Sequence, residues 1–208
     1  GNDQYLRLAG TSLAHYLAGF RDVSARHEPK PSFADALRAA NLSTGAAVEF
    51  WAKRKLPAIA ASRKPIYVET SHMACLGFLE ALCLFELPVE WILLRRPAQR
   101  VATSLWQLGT IPGRSLRGLR YYLSPKDPCL LRLPDRLLPE LHDYQLCYWY
   151  AREIETRQEL WEARSSQDGP LATSLLTQEL GDDDGRARIA QALDLGRPRW
   201  SSRLLAES

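Results

Sequence analysis

Three clusters of side chains in this sequence have the types and spacing for chemistry on an anion. Arg95 and Arg96 stand between an apolar run at 91–94 and Pro97, with Thr103 and Ser104 a turn or two further on. A guanidinium is a planar fork that donates two parallel bonds to phosphate oxygens, and neighbouring hydroxyls add donors. Gly10-Thr11-Ser12 precedes an apolar periodicity carried by Leu13, Tyr16, Leu17 and Phe20. Backbone N–H groups at the start of such a helix face an anion. His27-Glu28-Pro29 offers two side chains able to take a proton near neutral pH when their surroundings tune them.

The elements that position these groups follow from the patterning. The run at 91–94, ended by Pro97 and followed by Val101, Leu105 and Leu108 at helical spacing, reads as strand, cationic tip, helix. Residues 4–9 read as a first strand, 22–26 as a second and 66–68 as a third, the last with a polar tip at Glu69-Thr70-Ser71-His72. Residues 171–176 read as a further strand. Helices are expected at 33–40, at 43–61 with an interruption at Pro57, at 73–87, at 141–164 and at 186–193. In these the cluster Lys53-Arg54-Lys55 reads as a solvated face, and Glu153 with Arg157 as an i,i+4 pair worth a few tenths of a kcal/mol. Strand alternating with helix predicts an α/β sheet with parallel strands. Right-handed crossovers would bring the tips at His27/Glu28, at 69–72 and at Arg95/Arg96 to one edge of it. Residues 109–139 break the pattern with repeated proline and glycine, and with arginines and tyrosines between them. They read as an irregular lid or acceptor segment over an anionic ligand.

The order of these motifs resembles the bacterial-type sulfotransferases that use 3′-phosphoadenosine 5′-phosphosulfate (PAPS). The resemblance rests on 8–13 (Leu-Ala-Gly-Thr-Ser-Leu), His-Glu-Pro at 27–29, Tyr-Val-Glu-Thr at 67–70, Leu-Leu-Arg-Arg-Pro at 93–97 with Thr103-Ser104, and 175–180 (Leu-Leu-Thr-Gln-Glu-Leu). It implies a P-loop-like three-layer α/β/α fold with a central, mainly parallel sheet, formed by one domain over 1–208. It implies transfer of a sulfuryl group to a hydroxyl or amine acceptor, with a small molecule or a glycan hydroxyl as the partner. Gly10, Thr11 and Ser12 would then hold the 5′-phosphosulfate. Arg95, two residues before proline, would contact the 3′-phosphate with Thr103 or Ser104; counting from Arg96 makes Ser104 the match. His27 or Glu28 would be the catalytic base. The family's loop cation normally lies two residues before the glycine. Leu8 occupies that position here, and Arg7 is the nearest cation.

Bulk properties bound the alternatives. The chain has 208 residues, 46% hydrophobic and 25% charged, with a net charge of +3. That length suits one domain with a substantial core, and that charge is too small to argue for nucleic acid. No apolar run is long enough to span a bilayer. Four scattered cysteines without a CxxC pair predict a reducing, cytoplasmic setting. The metal expectation is none: Asp182-Asp183-Asp184 reads as a solvated turn or helix start. Two further readings compete with the transferase. One is a P-loop kinase or nucleotidase, disfavoured by the missing loop lysine. The other is a degenerate sulfotransferase-like binding domain, for which Leu8 speaks.

Overall fold

The computed structural model describes residues 9–87, 89–168 and 171–195. Helix α1, Ala9–Ala18, leads through a short turn into strand β1, Val23–His27. A 3₁₀ turn at Phe33–Asp35 follows, opened by a Ser32/Asp35 capping box. Next come α2 (Leu37–Leu42) and α3 (Thr44–Phe50), the latter capped by the Ser43 hydroxyl. A π-helical stretch, Trp51–Lys55, runs directly into α4, Leu56–Ala60. Pro57 therefore does not interrupt this helix. It lies in the first turn of α4, where a missing N–H is tolerated, and the wider π turn before it absorbs the change.

Strand β2, Ile66–Thr70, pairs parallel with β1, from Val23 opposite Ile66 to His27 opposite Thr70. The segment expected as one helix at 73–87 is instead a turn over 72–77, helix α5 (Phe78–Leu82) and a 3₁₀ turn (Cys83–Phe85). Gly77 is the reason for the delayed start. It has φ +89°, and a Cβ there would lie 2.3 Å from the Ala40 carbonyl oxygen. Strand β3 (Trp91–Arg95), helix α6 (Ala98–Gln107) and helix α7 (Leu116–Tyr121) follow. The long helix α8, Asp143–Asp168, then leads to β4, Leu171–Leu176, which pairs parallel with β3. Helix α9, Asp183–Ala192, is the last described element.

The strands thus form two parallel pairs, β1–β2 and β3–β4, rather than one described continuous sheet. The expected strand at 4–9 lies outside the described residues except for Ala9, which begins α1. Two apolar cores flank the strands. Leu13 and Leu17 of α1, Phe20 in the turn after it and Ile189 of α9 pack with Val23, Val68, Ile92, Leu94 and Leu175, so all four strands contribute to this core. A larger core holds Phe33, Phe50, Trp51, Phe78, Leu105 and Tyr150, with Trp91 packed against it. Alternate residues of a strand face opposite sides. Trp91 joins one core while Ile92 and Leu94 join the other, so β3 is covered on both faces.

Helix α1 and strand β1 are of similar length. The 10 residues of α1 span about 15 Å, and the 5 residues of β1 about 16 Å. The turn between them is tight, with Gly19 and Phe20 donating to the carbonyls of Tyr16 and Leu17. Helix α1 packs against both β1 and β2.

Candidate functional site

The parallel register sets His27 beside Thr70, so the two polar tips expected from the sequence meet. His27 Nδ1 lies 2.9 Å from the Thr70 hydroxyl and 3.2 Å from the Thr70 carbonyl. A carbonyl only accepts, so in a bond to it Nδ1 is the donor, the tautomer that in a neutral ring puts the lone pair on Nε2. Glu28 follows with φ 44°, a left-handed conformation uncommon outside glycine, and its N–H donates to the Thr70 carbonyl. This turn directs the Glu28 carboxylate at the β2 tip. Glu28 Oε1 lies 2.9 Å from His72 Nδ1 and accepts from the Ser71 hydroxyl at 3.4 Å. Burial alone would raise the Glu28 carboxyl. The hydrogen bond and charge of His72, helped by His27 and Ser71, outweigh it and hold the group below its ordinary value.

Behind the tips lies a buried ion pair that sequence patterning assigned to solvent. Lys53 and Arg54 are exposed, but Lys55 is 1% exposed. Its Nζ donates to Glu69 Oε1 at 2.6 Å and to the Pro31 carbonyl at 2.7 Å, and lies 4.4 Å from the centre of the Phe33 ring. Tyr67 completes the set by donating its hydroxyl to Glu69 Oε2 at 2.9 Å. Burial pushes the Glu69 carboxyl up, and Lys55 and Tyr67 only partly offset that. A signal for Lys55 was present in the sequence: it stands four residues after Trp51, on the same helix face. The cluster fixes the chain after Glu28, because Lys55 holds the Pro31 carbonyl.

The segment 109–139 forms a wall beside these groups and is pinned along its length. Arg38 donates to the carbonyls of Leu119 (2.6 Å) and Tyr122 (3.2 Å), and Asn41 to that of Pro128 (2.7 Å). Glu153, fully buried, accepts from the N–H groups of Leu130 and Leu131 at 3.0 and 2.8 Å and from Arg157 Nε at 2.7 Å. The i,i+4 pair of Glu153 and Arg157 is therefore an internal anchor. Tyr122 stacks on His72 with ring centres 4.9 Å apart, and Tyr150 of α8 stands edge-on to Tyr122 at the same distance. Burial raises the Tyr122 hydroxyl to about 12. The Tyr150 hydroxyl is buried with no hydrogen-bond partner among the described residues. Sequence reading weighted the α8 aromatics as core and left this hydroxyl unremarked.

The arginine motif belongs to the other strand pair. Arg95 ends β3, and one of its terminal nitrogens pairs with Glu162 of α8. Its Nε is buried without a hydrogen-bond partner among the described residues. Arg96 donates to the Arg100 carbonyl at 3.1 Å. Burial, and then the like charge of Arg100, lower its pKa. The Thr103 hydroxyl donates back to the Gln99 carbonyl at 2.8 Å within α6. Ser104 is half-buried. Thr11, exposed, and Ser12, half-buried, lie in the first turn of α1 beside Gly10. Arg7 lies outside the described residues. All four cysteines are free, and burial raises each thiol, Cys75 and Cys129 to about 12 and Cys147 to about 11. A thiolate nucleophile is therefore disfavoured. Among the described residues, no cluster of three or more His, Cys, Asp or Glu has metal-binding geometry, and no helix is long and apolar enough to cross a membrane.

An open groove of about 750 Å³ runs along Pro125, Lys126, Arg132, Leu133 and Leu138. None of its lining residues comes from a strand tip. Converging proton-accepting groups, not concavity, therefore mark the β1–β2 edge as the candidate site. Comparison with protein-family models, with curated proteins and with solved structures returned no match.

Proposed function

We propose that the chain is a sulfotransferase that moves a sulfuryl group from PAPS to a hydroxyl or amine acceptor. The observation that carries this reading is the shared edge of β1–β2. There a histidine whose neutral ring carries its lone pair on Nε2 stands next to an ionised carboxylate, and the helix that carries the Gly10-Thr11-Ser12 motif packs against both strands. The reading brings with it a P-loop-like three-layer α/β/α fold, a cytoplasmic location and a small-molecule or glycan hydroxyl as partner.

The residues fit such a nucleotide at two places. Gly10, Thr11 and Ser12 lie at the start of the described part of α1, where the N–H groups of a helix N-terminus would face an anion, and Arg7 precedes them in the sequence. The buried Arg95 Nε still has a proton to donate. The Thr103 hydroxyl is already committed to Gln99, which favours Ser104 as the partner of Arg95. When bound, the nucleotide supplies the sulfuryl group and a phosphate leaving group. His27 accepts the acceptor's proton at Nε2, and Thr70 holds its ring in the required tautomer. Glu28, kept ionised, accepts a hydrogen bond from the acceptor and orients it. Its lowered pKa makes it a weaker base than a histidine nitrogen for this step. The Gly10–Ser12 amides, holding the phosphosulfate, would stabilise negative charge where it develops.

Calorimetry with 3′-phosphoadenosine 5′-phosphate tests the reading. The wild-type chain should bind it, and Arg95→Ala with Ser104→Ala should weaken binding by roughly a hundredfold, the scale of lost hydrogen bonds to a charged group. Unchanged affinity in the double variant would remove the assignment. Stabilisation by ATP–Mg²⁺ in its place would favour a P-loop kinase. One observation favours a second reading. The pairing of Arg95 with Glu162 partly neutralises the expected phosphate clamp, as in a sulfotransferase-like domain that binds without turnover. Tight nucleotide binding with no transfer to any of a broad acceptor panel would support that reading.

A further inference from the structure

His72 touches both halves of the candidate site. Its Nδ1 is 2.9 Å from Glu28 Oε1, and its Nε2 is 3.1 Å from the carbonyl oxygen of Tyr121, the last residue of α7. Its ring lies against Tyr122 and edge-on to Tyr150. Both nitrogens face oxygens, a carboxylate on one edge and a carbonyl on the other. Carbonyls do not donate, so each edge of the ring has a distinct acceptor to serve.

We propose that His72 is a positioning residue: one edge of its ring holds the Glu28 carboxylate, and the other fastens the end of α7 to the strand tips. The functional part of this inference rests on the sulfotransferase reading, in which Glu28 orients the acceptor and the wall shapes its pocket. The left-handed backbone of Glu28 gives the arrangement a purpose. A residue held at φ 44° keeps that conformation only where its surroundings over-determine it. The β2 ladder bond fixes its backbone, and His72 with Ser71 fixes its carboxylate. Docking of α7 through the same ring makes acceptor orientation depend on the wall being in place. Other groups that bear on Glu28 electrostatically are His27 on β1, Glu69 on β2, Tyr122 of the wall and Tyr150 of α8.

Two substitutions separate the edges of the ring. In His72→Asn the side-chain amide nitrogen falls near the place of Nδ1, so the bond to Glu28 survives and the one to Tyr121 is lost. In His72→Gln it falls near the place of Nε2, and the outcome reverses. Two readouts follow each edge: the titration of the Glu28 carboxyl carbon by NMR, and hydrogen exchange at the Tyr122 amide, which donates to the Gly118 carbonyl in the last turn of α7. The Gln variant should move the Glu28 titration upward more than the Asn variant does, with Tyr122 exchange close to wild type. The Asn variant should speed Tyr122 exchange by roughly tenfold, as expected for loss of one hydrogen bond. If both variants move both readouts alike, His72 is merely a packing residue and the proposal fails. It fails equally if neither readout moves in a folded variant. Titration of the wild-type chain with 3′-phosphoadenosine 5′-phosphate keeps the two ideas apart. Absence of binding would sink the sulfotransferase reading and leave the two-edged role of His72 to be judged on the NMR results.

Discussion

At the scale of single residues, the largest departure from patterning is Lys55. Three consecutive cations read as a surface, and two of them are one. The third enters the core because helical periodicity places it under Trp51 and because Glu69, a Pro31 carbonyl and the Phe33 ring receive it. Burying an ammonium unpaired is prohibitive, so the partner is obligatory. Lys55→Met leaves the Glu69 carboxylate buried without its counter-ion and should cost about 3–5 kcal/mol. Replacing both Lys55 and Glu69 with apolar residues should recover most of that. Urea unfolding of the single and double variants checks the pair, and a single variant within 1 kcal/mol of wild type would contradict it. His72 teaches the same lesson in milder form. It was visible in the sequence as part of a polar tip, but its two partners come from residues 44 and 49 positions away.

At the scale of elements, strands and most helices were legible because apolar periodicity and turn residues are local signals. β1, β2, β3 and β4 were each expected within two residues or so of where they lie. The segment 109–139 was legible only as irregular. Its order comes from groups outside it: Arg38, Asn41, Trp149 and above all Glu153. An i,i+4 Glu–Arg pair on a surface helix is worth little. The same pair becomes an anchor when the carboxylate also takes two backbone N–H groups away from water. Glu153→Gln replaces an acceptor-only group with one that cannot satisfy Leu130, Leu131 and Arg157 together. It should destabilise the protein by roughly 2–4 kcal/mol, somewhat below the cost of breaking a buried ion pair outright. Its distinctive sign is faster hydrogen exchange at the Leu130 and Leu131 amides than in β1. Equal protection at both places would mean that the segment holds itself.

At the scale of the whole molecule, the two parallel strand pairs share a core with α1 and α9, so stability and site geometry are coupled through the β1–β2 edge. The titration of Glu28 reports on that coupling. Its folded pKa lies below its ordinary value of 4.5, so between the two values the unfolded chain binds more protons than the folded one. The stability it contributes is complete above about pH 4.5, its unfolded pKa, and is lost as pH falls through the folded pKa. Glu69, raised by burial, works in the opposite sense. Glu28→Gln should therefore flatten the acid limb of the stability curve while changing its neutral plateau less. Chemical denaturation across pH 3–6, spanning the ordinary carboxyl range, measures it. An acid limb as steep in the variant as in wild type would show that Glu28 carries no linked stabilisation.

Sequence alone determined the parallel α/β pattern, the strand tips and the residue types gathered there, since periodicity and proline placement act over a few residues. It also determined that His27 and Glu28 would end one strand and Arg95 another. Tertiary structure decided which of these groups meet. The β1–β2 register brings Thr70 to His27 and His72 to Glu28, and Arg95 turns instead to Glu162 on α8. It also decided which charges are internal, because the burial of Lys55 and Glu153 depends on partners 14 to 26 residues away for one and 22 to 23 away for the other. Local patterning reports the face a side chain occupies. Whether a charge is stable on that face depends on the partner that the distant chain brings to it.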